Sequence, residues 1–321
     1  MQRTHVKMNG SAGICFNRTV LSLSRTDHKA VQLRRVAVAL FGLPRSVELT
    51  APSVRANVLS VLSRHNITVD IYAHSFIQSD VADNRYRQTY PESRYQFTSA
   101  ESYQSACRKV IQGCRRLGDA WGNKFRSYQN HMAQLGSLHM VTQMWGASNV
   151  AYDGVMYVRP DILFNCPLPG QMFASFHSNT LYAPRAGSQP GYINDRFGFG
   201  SPEVMRLWGN RLDFTARSCR QRDVHAERNV YRQAASFRIK TKLLPLHLVR
   251  VRIDGRIPPA DMWAVKRRRC QASSAVPFMN AKAKAVCPQQ LRDCLFKNAH
   301  QMFRPDPKAS ATAMNPTRSQ T

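Results

Sequence analysis

Five consecutive apolar residues, Val36 to Leu40, run straight into Phe41-Gly42-Leu43-Pro44-Arg45, and this switch from strand to turn composition limits the folds open to the chain more than any other feature. The run is too short for a core helix and apolar throughout, as a strand covered on both faces must be. Ser53 then stands where a helix cap would be, and Val54, Val58, Val61 and Leu62 share one face of the helix it would begin. Val69 to Ala73 reads as a second buried strand. A strand, a helix and a second buried strand in that order predict a parallel α/β sheet.

Further along the chain the same reading continues. Residues 75–98 are polar and rich in Tyr and Arg, which predicts a loop over the sheet edge. Helices are expected over roughly 99–117 and 124–146, the second carrying Met132, Leu135, Leu138, Val141, Met144 and Trp145 near helical spacing. Tyr152 to Val158 reads as a strand, with further short strands at Tyr182, Phe197 and Phe199. Pro202 to Asn210 and Val224 to Ala235 read as helices, the first with Pro at its start. Phe237 to Lys240 and Leu246 to Ile253 are expected to close the sheet.

Charge sets the ends apart from this body. Of a net +27, residues 1–35 hold 7 basic and 1 acidic residue and residues 261–321 hold 11 basic and 3 acidic, so the ends carry +14. Neither end has sustained periodicity, which predicts a disordered leader over 1–34, a folded body over 35–257 and a weakly ordered basic appendage over 258–321. Such tails attract polyanions without selecting among them, with Lys266-Arg267-Arg268-Arg269 as the strongest patch.

No run of about 18 apolar residues is present, and Ser11 to Phe16 is too short for a secretory core. The chain as written therefore reads as soluble, with an ER or Golgi lumen the alternative if its N-terminus lies further upstream. Sequons at Asn9, Asn17 and Asn66 would suit a lumen. The eight cysteines form no CxxC pair, and Cys107/Cys114 and Cys287/Cys294 are each seven apart, too far to bridge within one helix. Scattered buried thiols are expected rather than a disulfide framework.

The chemistry-bearing segment is Tyr152-Asp153-Gly154-Val155-Met156-Tyr157-Val158-Arg159-Pro160-Asp161. It delivers Asp161 just past the carboxyl end of a strand, where open α/β sheets bind ligands. Asn194-Asp195-Arg196-Phe197-Gly198-Phe199-Gly200 brings a second carboxylate on a glycine-rich aromatic segment. These two motifs, with Val36 to Arg45, Asp70 to Ser75 and Val249 to Gly255, occur in an order that resembles a group of GT-A-type glycosyltransferase-like sequences from algae, large viruses and bacteria.

The resemblance spans about residues 35–256. It implies a GT-A-like (Rossmann-like) α/β fold, mixed but mostly parallel, in which Gly42 to Arg45 lies near the nucleotide. It also implies hexosyl or related transfer from a nucleotide-sugar donor to a hydroxyl of a glycan, protein or lipid acceptor. Asp161 takes the distal place of the Asp-x-Asp motif that holds Mn²⁺ or Mg²⁺ in many such enzymes, but the proximal place is Arg159, a guanidinium that can neutralise diphosphate itself. Asp195 would face the sugar or acceptor as a candidate general base. His74 and Glu227 read as a structural histidine and a solvated helical glutamate. Two readings compete with transfer of a sugar: a sulfotransferase built on Leu43-Pro44-Arg45-Ser46 as a phosphosulfate loop, and a non-catalytic polyanion-binding protein.

Overall fold

A computed structural model describes residues 32–101, 112, 122, 126–219, 223–259 and 261. The basic patch at 266–269, most of the leader and of the helix expected over 99–117, the sequons at Asn9 and Asn17, and every cysteine except Cys166 and Cys219 lie outside the described residues.

Nine strands are described: β1 (Arg35–Phe41), β2 (Thr68–Phe76), β3 (Arg94–Thr98), β4 (Gly154–Val158), β5 (Ile162–Phe164), β6 (Thr180–Pro184), β7 (Phe197–Gly200), β8 (Lys240–Leu244) and β9 (Leu248–Arg250). Seven of them form one sheet in the order β3-β2-β1-β4-β7-β6-β8. The pairs β1·β2, β1·β4, β2·β3 and β6·β8 are parallel, whereas β7 runs antiparallel to both its neighbours. The α/β class and the mostly parallel sheet expected from the sequence are thus present.

β1 lies inside the sheet, between β2 and β4, because its residues are apolar on both faces. Val36, Val38 and Leu40 point into one core and Ala37, Ala39 and Phe41 into the other, as alternation along a strand requires. The first core is closed by α1 (Val47–Val54), which continues through a π turn (Arg55–Leu59) into α2 (Ser60–Arg64), and by the short α5 (Gln171–Ala174) with Met172 and Phe173. The second is closed by α4 (Arg126–Gly146), α6 (Pro202–Gly209) and α8 (Ala226–Ser236). Helices that cover opposite faces before and after the chain crosses β1 make the gap between β1 and β4 a topological switch point.

Ser53 caps no helix, because α1 already begins at Val47 behind Ser46 and Ser53 lies within it, its Oγ donating to Thr50 O at 2.7 Å. Three further expectations are corrected. The polar stretch 75–98 is not a loop, for β2 runs on to Phe76 and is followed by α3 (Asp80–Thr89) and the edge strand β3. Its aromatic residues are the core-facing ones: Tyr86 and Tyr90 are buried, and Arg87 and Arg55 lie over the rings of Phe97 and Tyr90 at 4.8 and 5.1 Å. Arginine stems and guanidinium planes replace the apolar cover that periodicity looks for. Second, the closing strand begins at Lys240, because Phe237 caps α8 and Arg238 turns in the left-handed region (φ 53), while β9 leaves the main sheet and pairs with β5. Third, Cys166 and Cys219 are not free thiols but disulfide-bonded.

The carboxyl edge of the sheet is tied to α4 through Ser137. Its Oγ donates to His74 O (2.8 Å) and accepts from Gly42 N (2.7 Å) and His74 Nδ1 (2.9 Å). With its one proton committed, Ser137 requires the Nδ1–H tautomer of His74, whose Nε2 then accepts from Thr98 Oγ1 (3.0 Å). Burial, with a smaller push from His139, lowers the His74 pKa to about 3 and keeps the ring neutral. Ser137→Ala strands two buried donors and is expected to cost about 1–3 kcal/mol in urea unfolding. An unchanged midpoint would show that this network is dispensable.

Candidate active site

Asp161, Arg159 and Asp195 meet because of strand register. β4 and β7 pair antiparallel with Val158 opposite Phe197, and Arg159 N donates to Arg196 O (3.1 Å), which extends the ladder by one pair. The residues just beyond both strand ends therefore come together although about 34 residues separate them. Asp161 is further fixed through Val251, whose N donates to Asp161 O (2.8 Å) and whose O accepts from Ser46 Oγ (2.7 Å). Val251 thus joins the turn after β1 to the turn after β4.

The side chains form a continuous chain of bonds. Arg159 grips Asp161 in bidentate fashion, Nε to Oδ1 at 3.0 Å and Nη2 to Oδ2 at 2.6 Å, and its Nη1 donates to Gln134 Oε1 at 3.3 Å. Gln134 passes the connection on, with Nε2 donating to Asp195 Oδ2 at 2.7 Å. Around this chain stand Arg196, which pairs with Asp261 (3.6 Å), and Arg250, which pairs with the same carboxylate (2.8 Å). Asp261 lies four residues past the boundary expected at 257 and is buried. Arg211, at the start of α7 (Arg211–Ser218), has no exposed surface; its guanidinium lies 3.8 Å from the centre of the Trp208 ring and finds no hydrogen-bond partner among the described residues.

These positive groups set the charge states. Burial alone would raise the Asp195 carboxyl, yet Arg159, Arg211, Arg196 and His131 bring it down to about 2. Burial works against the Arg159 charge, but Asp161 raises its pKa above the ordinary guanidinium value. Burial lowers Arg211 to about 10 despite the opposing charge of Asp195, and lowers His131 to about 4. Glu227 goes the other way: burial, and then the neighbouring Asp195 charge, lift it to about 7. Its Oε2 lies 3.3 Å from His225 Nδ1.

Of the residues singled out in the sequence, Arg159, Asp161 and Asp195 come together. Gly42 stands on the adjacent strand end, with φ 106 and open space where a Cβ would be, so glycine is there for its backbone. Arg45 is exposed on the turn before α1. His74 is structural, as read. Gln134, His131 and Arg211 were missed; the only trace of the first two is a pair of polar residues three apart within the apolar stripe of α4. Glu227 is not a solvated helical residue but part of the cluster.

A divalent cation does not fit this donor set. Both Asp161 oxygens accept from Arg159, and among the described residues no group of three His, Cys, Asp or Glu side chains stands close enough to hold a metal ion.

The sequence matches the family described as "Domain of unknown function (DUF7796)" over residues 31–304, and the chain belongs to that family. The match runs through most of the segment set apart above as an appendage. No curated protein is significantly similar in sequence. Solved structures that resemble the chain include core-mannan synthase A of Aspergillus fumigatus in a Mn/GDP form (10% identity, 85% of this chain and 86% of that one, TM-score 0.43). Mouse xyloside xylosyltransferase 1 (11%, 65% and 84%, 0.37) and the glycosyltransferase GlyE of Streptococcus pneumoniae (14%, 65% and 45%, 0.35) are two more. All three TM-scores lie below 0.5, and the sheet order and strand directions, not these overlays, define the fold.

Removing the Asp195 charge takes away the main opposing charge on the buried Arg211 and part of the negative field at Arg159 and Arg196. Because its folded pKa is about 2 against an ordinary 3.8, the carboxylate contributes stability above pH 4 that is lost as pH falls toward 2. Asp195→Asn is expected to lower stability at pH 7 by roughly 1–3 kcal/mol and to flatten the acid limb of the stability profile between pH 4 and pH 2. Identical acid limbs in denaturant titrations of the two proteins would contradict this electrostatic account.

Proposed function

We propose that this chain is a glycosyltransferase that moves a hexosyl or related sugar from a nucleotide-sugar donor to a hydroxyl of a glycan, protein or lipid acceptor. The observation that carries the reading is the placement of the Arg159–Asp161–Gln134–Asp195 chain at the β1/β4 switch point, where a doubly wound sheet binds its ligand. The open turn at Gly42 lets a phosphate approach the backbone there. Arg159 uses three of its five N–H groups on Asp161 and Gln134, which leaves two for a diphosphate oxygen. Arg45, on the same turn as Gly42, is exposed where it can meet the nucleotide. Asp161 orients Arg159 and presents charge to the donor sugar, and Asp195 faces the sugar and acceptor side. The order of the sequence motifs supports the same assignment.

The sulfotransferase reading is not favoured. Ser46 Oγ is committed to Val251 O and Thr50 Oγ1 to Pro160 O, so the hydroxyls of that turn brace the fold instead of facing a phosphosulfate. Glu48, in the first turn of α1, adds a negative charge where such a loop binds an anion. No helix among the described residues is long and apolar enough to cross a membrane. The disulfide-bonded Cys166 and Cys219, and the exposed sequon residue Asn66, support an oxidising lumen as the place of action.

A thermal-shift panel of nucleoside diphosphates and their sugar conjugates is expected to contain a ligand that raises Tm, while 3′-phosphoadenosine 5′-phosphate does not. With that donor, Asp161→Asn is expected to fold and to lose at least about 100-fold in turnover, since electrostatic positioning of a transferring group is commonly worth several kcal/mol. Stabilisation by the adenosine bisphosphate alone, or wild-type turnover by a folded Asp161→Asn protein, would move the function or the site elsewhere.

A further inference from the structure

Two of the cluster's carboxylates, Asp195 and Glu227, lie in opposite surroundings. Asp195 is 3% exposed, accepts from Gln134 and sits in the field of Arg159, Arg211 and Arg196. Glu227 lies in the first turn of α8, and its carbonyl accepts from Ile193 N (3.1 Å), two residues before Asp195. That backbone bond ties the start of α8 to the glycine-rich segment that carries Asp195. Its side chain keeps 24% of its surface open, so of the two carboxylates Glu227 is the one that an acceptor can reach.

We propose that Glu227, and not Asp195, is the catalytic base that takes the proton from the acceptor hydroxyl, an inference that rests on the glycosyl-transfer reading above. As the acceptor oxygen bonds to the anomeric carbon, its proton passes to the Glu227 carboxylate. The bond from that carbon to the diphosphate oxygen breaks, its electron pair leaves with the nucleoside diphosphate, and Glu227 later returns the proton to water. Asp195, held ionised at about 2, is too weak a base for a hydroxyl and instead supplies fixed negative charge.

That fixed charge is also what tunes Glu227. Burial and the Asp195 charge raise its carboxyl to about 7, against the opposing pull of Arg196 on the preceding segment and Arg250 on β9. Arg159 beyond β4 and Arg211 on α7 lie within the same field, and His225 stands beside it at the start of α8. Two carboxylates driven apart in pKa by their surroundings divide the roles of proton acceptor and fixed charge. A base works when deprotonated, so turnover rises with pH through about 7.

Carbon-13 carboxyl NMR of the full chain tests the titration without any substrate. A resonance with a midpoint near 7 that is missing from Glu227→Gln is expected, and a midpoint in the ordinary glutamate range near 4.3 would overturn the proposal. With UDP- and GDP-hexoses as donors, Glu227→Gln is expected to keep donor affinity by calorimetry while losing about 100-fold or more in kcat. Glu227→Asp, which keeps the charge on a shorter stem, should recover part of that loss with the limb near pH 7 retained. If Glu227→Gln folds, binds donor and turns over like the wild type, the base is elsewhere and the transferase reading stands. If the wild type binds no nucleotide sugar at all, the transferase reading falls and this proposal falls with it.

Discussion

Arg159 stands partly buried at the carboxyl edge of the sheet, and the Asp161 carboxylate held against it in bidentate fashion offsets the cost of taking that charge out of water. Pro160 between the two fixes φ and keeps both side chains on one short turn. The backbone of that turn is held by Val251 and by Arg196, so β9 and β7 both owe their placement to it. Gln134 extends the pairing to Asp195 and thereby draws α4 onto the same edge.

The sheet was legible where burial on both faces left apolar runs. β1, β2 and β4 appear in the sequence within a few residues of their bounds because their side chains meet a core on either face. α3 and β3 did not, because a stretch whose aromatic residues are interleaved with arginines, two of which cover the rings of Tyr90 and Phe97, reads as polar chain. β9 was taken for a member of the main sheet because nothing in a three-residue strand states its partner. The disulfides at Cys166 and Cys219 leave no spacing signal either.

For the site, sequence order placed Asp161, Arg159 and Asp195, since each follows or precedes a strand of recognisable composition. Gln134, His131 and Arg211 were hidden because a polar residue on a helix is ordinarily solvated, and only tertiary packing buries His131 and Arg211 and sets the half-buried Gln134 against Asp195. Glu227 was misread for the same reason, and its raised pKa is a property of its neighbours, not of its own segment. What a linear sequence omits here is charge density: three guanidiniums act on one carboxylate from three different segments.

The central claim is that the β1/β4 switch point is the nucleotide-sugar site, and hydrogen exchange read by mass spectrometry tests it most directly. On addition of the nucleoside diphosphate that stabilises the protein, peptides covering 42–46, 159–161 and 193–196 are expected to gain protection together, while the edge strand β8 stays unchanged. Protection confined to β8 or to the basic ends, with those three segments unaffected, would contradict the account.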